Sequence, residues 1–370
     1  MRILHFIPTF SSGGAEAFIM NLADNIDRNK YQTDLLAIDA VNGIYDDRTK
    51  KSGIKLNVLI ERPISDPIKR YLKAYREFER FMERNKGRYD VIHFNIAQGE
   101  ELPFIHTAKK AGGPLLILHS HNSSVNSRLK YIGHVLCKKI YGNDADIYLS
   151  CSDMAAAWLV PERKFKNKDY RIIKNGIDTE RFRFCKVRAQ AKRHELGIGS
   201  QPVFINIGRL DKQKNHTFLI DVFQKIVREL PDALLLVAGD GELRRELEEK
   251  SYGYGLYDSI KWLGKRTDIS GLLSAADVFL LPSLFEGLPY TVIEAQCSGI
   301  RCVISYTISE ECIITDLVTR SPLDAGEYAE RAVAAYCKKV NDRSVYAGIV
   351  RDAGFDIKDT AADIIKIYGR

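Results

Sequence analysis

Short apolar runs alternate with longer segments of helical spacing along the whole chain, and the alternation starts twice. The first series opens with a strand at Arg2–Ile7, a loop from Pro8 to Glu16, and a helix with Phe18, Leu22 and Ile26 on one face. Further strands are predicted at 34–38, 54–60, 90–94, 114–119 and 146–150, the runs at 90–94 and 114–119 having the look of parallel strands buried on both faces. Residues 67–84 place Ile68, Leu72, Tyr75, Phe78 and Met82 on one helical stripe, flanked by Lys69, Arg70, Lys73, Arg76, Arg80 and Arg84. The second series has strands at 203–207, 233–238, 278–281 and 301–305, with a strand and loop within 260–269. Its helices carry Phe218, Leu219, Val222 and Ile226, then run over 242–250, 325–339 and 357–368. Between the two series, 181–193 is charged and poorly periodic and reads as a linker, which puts the boundary near 180. The pattern predicts the α/β class, with two doubly wound, Rossmann-like domains facing a central cleft.

Composition narrows this picture. A chain of 370 residues suits two domains, and 45% hydrophobic with 28% charged residues is the balance of a soluble globular protein. No apolar run approaches the roughly 18 residues of a membrane span, and the chain opens on a strand rather than a signal peptide, so the cytoplasm is the expected location. The seven cysteines, Cys137, Cys151, Cys185, Cys297, Cys302, Cys312 and Cys337, form no Cys-x-x-Cys pair and read as reduced packing residues without a zinc site. The net charge of +7 is uneven: residues 1–180 hold 28 basic and 22 acidic side chains, residues 181–370 hold 27 and 26. An anionic partner is therefore expected on the first half, and nothing points to nucleic acid. The basic helix at 67–84 and a second basic stretch, with Arg128, Lys130, Lys138 and Lys139 beside Tyr131, Ile132 and Leu136, fit either an ordinary surface or contact with an anionic membrane.

Candidate chemistry gathers at strand ends. After the run Val278–Leu281 comes Pro282-Ser-Leu-Phe-Glu-Gly-Leu-Pro-Tyr290, then a helix to Gly299. Glu286 lies in the turn and Glu294 about two turns into the helix, where both carboxylates can reach one crevice. Gly287, Leu288 and the residues after Pro289 offer N–H groups at a helix N-terminus, a setting that favours an anion. Together these features suit a ligand with hydroxyls and phosphate; the plain alternative is a shielded turn and a solvated helix residue. Arg209 and Lys214 lie on the loop after 203–207, placed to meet phosphate or merely solvated. Gly13 and Gly14 follow the first strand, as a close ligand approach or a tight turn. Gly239-Asp-Gly241 lacks the third glycine of a dinucleotide fingerprint. His119-Ser-His121-Asn122 sets two imidazoles at a strand end, without the third ligand that a metal site needs. Two cations and a helix end can replace a metal, so none is expected.

Three of these motifs carry a family resemblance. Glu286 and Glu294 in the setting Phe-Glu-Gly-Leu-Pro, Gly208-Arg-Leu-x-x-x-Lys-Asn215, and His119-Ser-His-Asn-Ser123 resemble the retaining glycosyltransferases of family four, which have the GT-B fold, in the branch concerned with capsule and exopolysaccharide synthesis. The resemblance implies an acceptor-binding domain at 1–180, completed by a returning C-terminal helix at 355–370, and a nucleotide-sugar domain at 181–354. It assigns Arg209 and Lys214 to the diphosphate, Glu294 to the ribose, and Glu286 to the donor sugar. Gly13 and Gly14 adjoin donor and acceptor, the loop carrying Lys265 faces the base, and His121, narrowly preferred to His119, contacts the sugar. Glu286, Arg209, Lys214 and His121 are then the catalytic candidates. The implied donor is a UDP-sugar, the acceptor a glycan or polyprenyl-linked hydroxyl near the inner face of the membrane, and no cofactor is called for. A GT-B epimerase and a non-catalytic nucleotide-sugar-binding subunit stay open as other readings.

Overall fold

In a computed structural model, which describes residues 1–11, 13–41, 46–62, 64–121 and 128–369, each series of strands forms one parallel sheet. Ser12 of the first loop, together with Asn122, Ser123 and the side chains of Arg128 and Lys130 singled out above, lies outside the described residues. The chain divides into two units, Met1–Gly176 with Ile357–Arg370, and Ile177–Asp356.

The first unit contains β1 (Arg2–Phe10), β2 (Gln32–Ala40), β3 (Lys55–Val58), β4 (Val91–Ile96), β5 (Leu115–Ser120), β6 (Ile147–Ser150) and β7 (Arg171–Ile172), in the order β3-β2-β1-β4-β5-β6-β7. The second contains β8 (Val203–Ile207), β9 (Leu234–Ala238), β10 (Ile260–Gly264), β11 (Val278–Leu281), β12 (Arg301–Ser305) and β13 (Val318–Ser321), in the order β10-β9-β8-β11-β12-β13. Strand order reverses between β1 and β4 and again between β8 and β11. At such a point the two outgoing loops part to opposite faces of the sheet and leave a crevice at the carboxyl ends. The loops that carry Arg209, Lys214 and Glu286 are the pair at the second reversal.

Strands buried on both faces explain the apolar runs. Phe6, Phe78, Phe94 and Phe104 are fully buried and pack against one another, with Phe6 and Phe104 ring centroids 5.0 Å apart. In the second unit Phe204, Phe223 and Tyr328 anchor the corresponding layer. Burial of such rings is the main driving force for docking helices on each sheet.

The structure corrects several expectations. β1 runs to Phe10, so the loop starts at Ser11 rather than Pro8. Beyond Phe6 this strand pairs with β2 alone, and Pro8, which lacks an N–H, takes the side without a neighbour. The stretch 181–193 is no linker: helices Thr179–Phe182 and Lys186–Glu195 occupy most of it. The longer helix buries only Ala189 and is held by charge, with Lys192 Nζ 2.6 Å from Asp268 and Arg193 2.8 Å from Asp277, which is why no apolar period marks it. Helix Pro67–Arg84 starts where expected, its first N–H groups capped by the Asp66 carboxylate at 2.9 Å. It buries Phe78 and Met82 but leaves Ile68 and Leu72 exposed. The strand β13 has no apolar run to announce it and was not expected.

The last helix, Ile357–Tyr368, packs in the first unit, where it contacts helix Gly14–Asp24. Just before it, Gly354 takes a left-handed φ of 80° and lets the chain turn.

Candidate active site

The loop after β8 owes its shape to its own short hydrogen bonds. Gly208 N–H donates to Ala238 O at 3.0 Å and Leu210 N–H to Asp240 O at 3.1 Å, while the Asp211 carboxylate accepts from Lys214 N–H at 3.1 Å. Asn215 adopts a left-handed φ of 57°, tolerable for asparagine, and its amide donates to Pro282 O at 3.2 Å. Gln213 ties the same two loops twice more: its backbone carbonyl accepts from Leu284 N–H at 2.8 Å and its side-chain amide donates to Phe285 O at 3.1 Å. Glu286 is held from its other side by a backbone bridge to Ile308.

This lacing brings Lys214 Nζ to 2.6 Å from Glu286 Oε1, with both side chains largely buried at 14% and 11% exposure. The same carboxylate oxygen accepts from Ser283 Oγ at 2.9 Å. A buried ion pair of this kind repays its desolvation only with good geometry and further hydrogen bonds, and Ser283 supplies one. Arg209 is more open, 54% exposed, with its guanidinium 3.4 Å from Asp211. One cation is thus fixed against a carboxylate and the other stands toward solvent.

Gly239 and Gly241 explain the Gly-x-Gly turn. Gly239 has φ 153°, and a Cβ there would lie 1.8 Å from Gly208 O; a Cβ at Gly241 would lie 2.4 Å from Leu210 O. The turn is glycine so that it can press against the Arg209 loop, not to cradle a dinucleotide. Lys265 is exposed on the loop after Gly264, whose carbonyl accepts from Gly239 N–H at 2.8 Å.

Gly287, Leu288 and Pro289 are buried at the start of helix Tyr290–Cys297, which no side chain caps. Glu294 is half-buried in this helix, and its side chain makes no hydrogen bond or ion pair among the described residues. Burial pushes its pKa up to about 8, with the Arg181 charge pulling the other way. The two glutamates of the motif therefore differ: Glu286 is engaged by a cation and a hydroxyl, and Glu294 is held in surroundings that favour the protonated acid.

On the first unit, Gly13 precedes helix Gly14–Asp24 and Gly14 is exposed at its start. A Cβ at Gly13 would come within 2.6 Å of Glu16 Oε2, so this glycine makes room for a buried carboxylate whose other oxygen accepts from Ser11 N–H at 3.0 Å and Ser11 Oγ at 2.9 Å. His121 follows β5 and is half-buried; His119, inside β5, is buried. They belong to a larger cluster that includes His5, His93, Asn95 and Tyr368. Ring centroids are 4.9 Å apart for His5 and His93, 5.2 Å for His93 and His119, and 4.1 Å for His119 and His121. Burial lowers all four imidazoles, helped by neighbouring imidazoles at His5, His93 and His119, so that His5 and His121 fall to about 3 and the other two well below the ordinary value. The four are neutral at physiological pH.

Sequence reasoning missed Ser283, Asp211, Glu16, His5, His93, Asn95 and Tyr368. A signal existed for the strand residues: His5, His93 and Asn95 each interrupt an otherwise apolar run, and register pairs His5 with His93 and Asn95 with His119. Among the described residues no three His, Cys, Asp or Glu side chains are placed to hold a metal ion, and no helix is long and apolar enough to cross a membrane.

The fold is that of proteins built from two Rossmann-like domains. The Anabaena protein HepE, solved in complex with UDP and glucose, superposes with a TM-score of 0.80 over 100% of this chain and 99% of its own, at 18% identity, and the fold is GT-B. The family model "Glycosyltransferase Family 4" matches residues 12–181 and "Glycosyl transferases group 1" matches 188–344. The chain belongs to the family 4 glycosyltransferases. Relatives include the glycosyltransferase EpsF of Bacillus subtilis, 28% identical over 99% of this chain and 96% of its own. A UDP-Gal:alpha-D-GlcNAc-diphosphoundecaprenol alpha-1,3-galactosyltransferase of Escherichia coli is 29% identical over 62% of this chain and 61% of its own.

Proposed function

We propose that the protein is a retaining glycosyltransferase that moves a sugar from a UDP-sugar to a hydroxyl of a glycan or lipid-linked acceptor in bacterial surface polysaccharide synthesis. The observation that carries this reading is the Lys214–Glu286 ion pair at the strand reversal of the second unit, with Arg209 open beside it. A cation already aligned by a carboxylate is preorganised for charge that develops on a departing diphosphate. The UDP and glucose bound by HepE and the UDP-galactose used by the Escherichia coli relative support the donor class. The diphosphoundecaprenol acceptor of that relative supports a lipid-linked acceptor.

In this reading the bond from the anomeric carbon to the diphosphate breaks, and the bond to the acceptor oxygen forms on the same face. The acceptor proton passes to a phosphate oxygen. Arg209 and Lys214 neutralise the leaving phosphates, assisted by the N–H groups around Gly287, Leu288, Pro289 and Tyr290. Glu294 accepts from the ribose hydroxyls, Glu286 orients the donor sugar, and the loop with Lys265 meets the base. The first unit binds the acceptor; Gly13 and Gly14 adjoin the donor diphosphate and the acceptor, and His121 contacts the donor sugar. Two cations and a helix N-terminus serve in place of a divalent metal.

Calorimetric titration with UDP, GDP and ADP, without metal, tests the reading. UDP binding that Glu294→Ala abolishes, together with transfer from a UDP-sugar, supports it; binding of none of the three nucleotides refutes it.

The first unit also supports contact with an anionic membrane. Helix Arg128–Tyr141 exposes Tyr131, Ile132, Val135, Leu136 and Ile140 beside Lys139, and helix Pro67–Arg84 exposes Ile68 and Leu72 among basic residues. Apolar side chains ringed by cations match the boundary between anionic headgroups and acyl chains. Flotation with phosphatidylglycerol vesicles but not phosphatidylcholine vesicles, lost in Ile132→Glu/Leu136→Glu, is the expected result; equal behaviour on both lipids refutes it.

A further inference from the structure

We propose that Asn95 is a positioning residue, which holds His121 as the tautomer protonated at Nε2 and so presents the Nδ1 lone pair of His121 to a hydroxyl of the bound sugar. This rests on the reading of His121 as a sugar contact and narrows it to the kind of atom that His121 takes.

The orientation of the Asn95 amide is set by a group with no choice of role. Its Nδ2 lies 3.0 Å from the carbonyl oxygen of His93, which can only accept, so this end of the amide is the donor. The other end, Oδ1, can only accept, and it lies 3.1 Å from His121 Nε2. Nε2 therefore carries the proton. A neutral imidazole has one, which leaves Nδ1 as an acceptor. Burial keeps His121 neutral across the physiological range. Among the described residues Nδ1 has no hydrogen-bond partner, and of the four stacked imidazoles only His121 keeps partial exposure, since His5, His93 and His119 are buried to 1% or less. The ligand atom that completes His121 must then be a donor. A sugar hydroxyl qualifies; an ionised phosphate oxygen does not.

The rest of the cluster agrees with this assignment. The second N–H of Asn95 faces His5 Nδ1 at 3.1 Å, so His5 bears its proton on Nε2, 3.4 Å from the Tyr368 hydroxyl. That hydroxyl is left to donate to His93 Nδ1 at 2.8 Å, and His93 Nε2 then donates to His119 Nδ1 at 3.1 Å. Every tautomer follows from the one before it, and both directions start at Asn95. At the far end His119 Nε2 is buried without a partner among the described residues. An aspartate at position 95 would set a second acceptor against the His93 carbonyl, whereas asparagine has the one donor end and one acceptor end that its neighbours require. Through Tyr368 the last helix of the chain is part of the same network.

The test uses the full-length protein labelled with 15N at histidine. Long-range 1H–15N spectra, with His121 assigned from its loss in His121→Gln, are expected to show a neutral imidazole protonated at Nε2. Asn95→Asp is expected to protonate Nδ1 as well, turning the acceptor into a donor. Transfer activity should fall about 10- to 100-fold, the usual cost of an unmatched buried polar contact, while calorimetric binding of free UDP stays as it was. A His121→Asn variant, whose amide oxygen can occupy the place of Nδ1, should retain about tenfold more transfer than His121→Gln, whose amide reaches the place of Nε2. His121 protonated at Nδ1 in the wild-type protein overturns the proposal, and so do equal losses in His121→Asn and His121→Gln. Because the tautomer is read without ligand, it decides the role of Asn95 even if UDP binding and transfer are absent and the glycosyltransferase reading is the part that fails.

Discussion

Lys214 Nζ and Glu286 Oε1 lie 2.6 Å apart and join the loops that follow β8 and β11. In the proposed function a bound diphosphate competes with Glu286 for this cation, so the two partners should respond differently to removal. Lys214→Ala should weaken UDP binding about 10- to 100-fold, as expected when a charge-assisted hydrogen bond is lost, and turnover should fall with it. Glu286→Ala frees the cation and should leave UDP binding within a few-fold, while transfer drops by about 100-fold or more. Calorimetry and steady-state transfer on both variants give the comparison. Equal losses of binding and transfer in Glu286→Ala would remove its assignment to the sugar.

Gly239→Ala should damage the second unit through its backbone. The added Cβ meets Gly208 O, a main-chain atom that cannot swing away, and the φ of 153° is one that alanine rarely adopts. A loss of roughly 2–4 kcal/mol is expected from the combined strain and overpacking. Since Gly208 opens the loop of Arg209 and Lys214, UDP binding should weaken as well. Thermal unfolding and calorimetry read the two effects; an alanine variant as stable as the parent would contradict the packing described for this turn.

Glu294 provides a pH signature. Its carboxyl titrates at about 8 because burial disfavours the charged form. The folded pKa lies above the unfolded one, so the stability this group contributes is present at low pH and is lost as pH rises through about 8. In the proposed role of Glu294 two ribose hydroxyls donate to it, which the carboxylate accepts better than the protonated acid, so UDP binding at pH 7 should release up to one proton, and affinity should rise with pH until it levels off above 8. Titrations at pH 7 in buffers of different ionisation enthalpy measure that proton. Release that persists in Glu294→Gln would assign the proton to another group.

The histidine cluster predicts unequal acid sensitivity of the two units. Unfolded imidazoles bind protons below about 6.5, whereas in the folded state burial lowers His5 and His121 to about 3 and holds His93 and His119 well below the ordinary value. The folded pKa values are depressed, so the stability is present above 6.5 and is lost as pH falls toward 3. Four extra protons on unfolding give a slope of up to roughly 5 kcal/mol per pH unit. The second unit has one such residue, His216. The two tryptophans fall one in each unit, Trp158 and Trp262, so urea unfolding of Trp262→Phe and Trp158→Phe from pH 7 to 4.5 reports the first and the second separately. The first unit should lose stability more steeply, and parallel slopes would count against the neutral cluster.

Much of this molecule was legible before any coordinates. Runs such as Val203–Ile207 and Val278–Leu281 are apolar because both faces of a parallel strand are covered, and that requirement writes itself into consecutive residues. The loop motifs were legible for a related reason: a Gly-Arg-Leu-x-x-x-Lys-Asn segment keeps its chemistry within one turn of chain. Elements held by charge rather than by an apolar stripe escaped, as helix Lys186–Glu195 did, because ion pairs to Asp268 and Asp277 leave no period. The exposure of Ile68 and Leu72 was hidden as well, since spacing shows that residues share a face and not what covers it.

By itself, then, the sequence determined the α/β class, the order of the strands and helices that carry an apolar pattern, and the loops that bear the charged residues, all of which depend on neighbours within a few residues. Only the tertiary structure decided that Lys214 is spent on Glu286, that the Glu294 side chain has no hydrogen bond or ion pair among the described residues and is buried enough to favour the acid, and that His5, His93 and His119 of three strands, with His121 just beyond the third, cluster beside a tyrosine from the last helix. Those are properties of register and burial. They arise from groups distant in the chain that share a low-dielectric space, where a partner or its absence shifts a proton far more than it would in water.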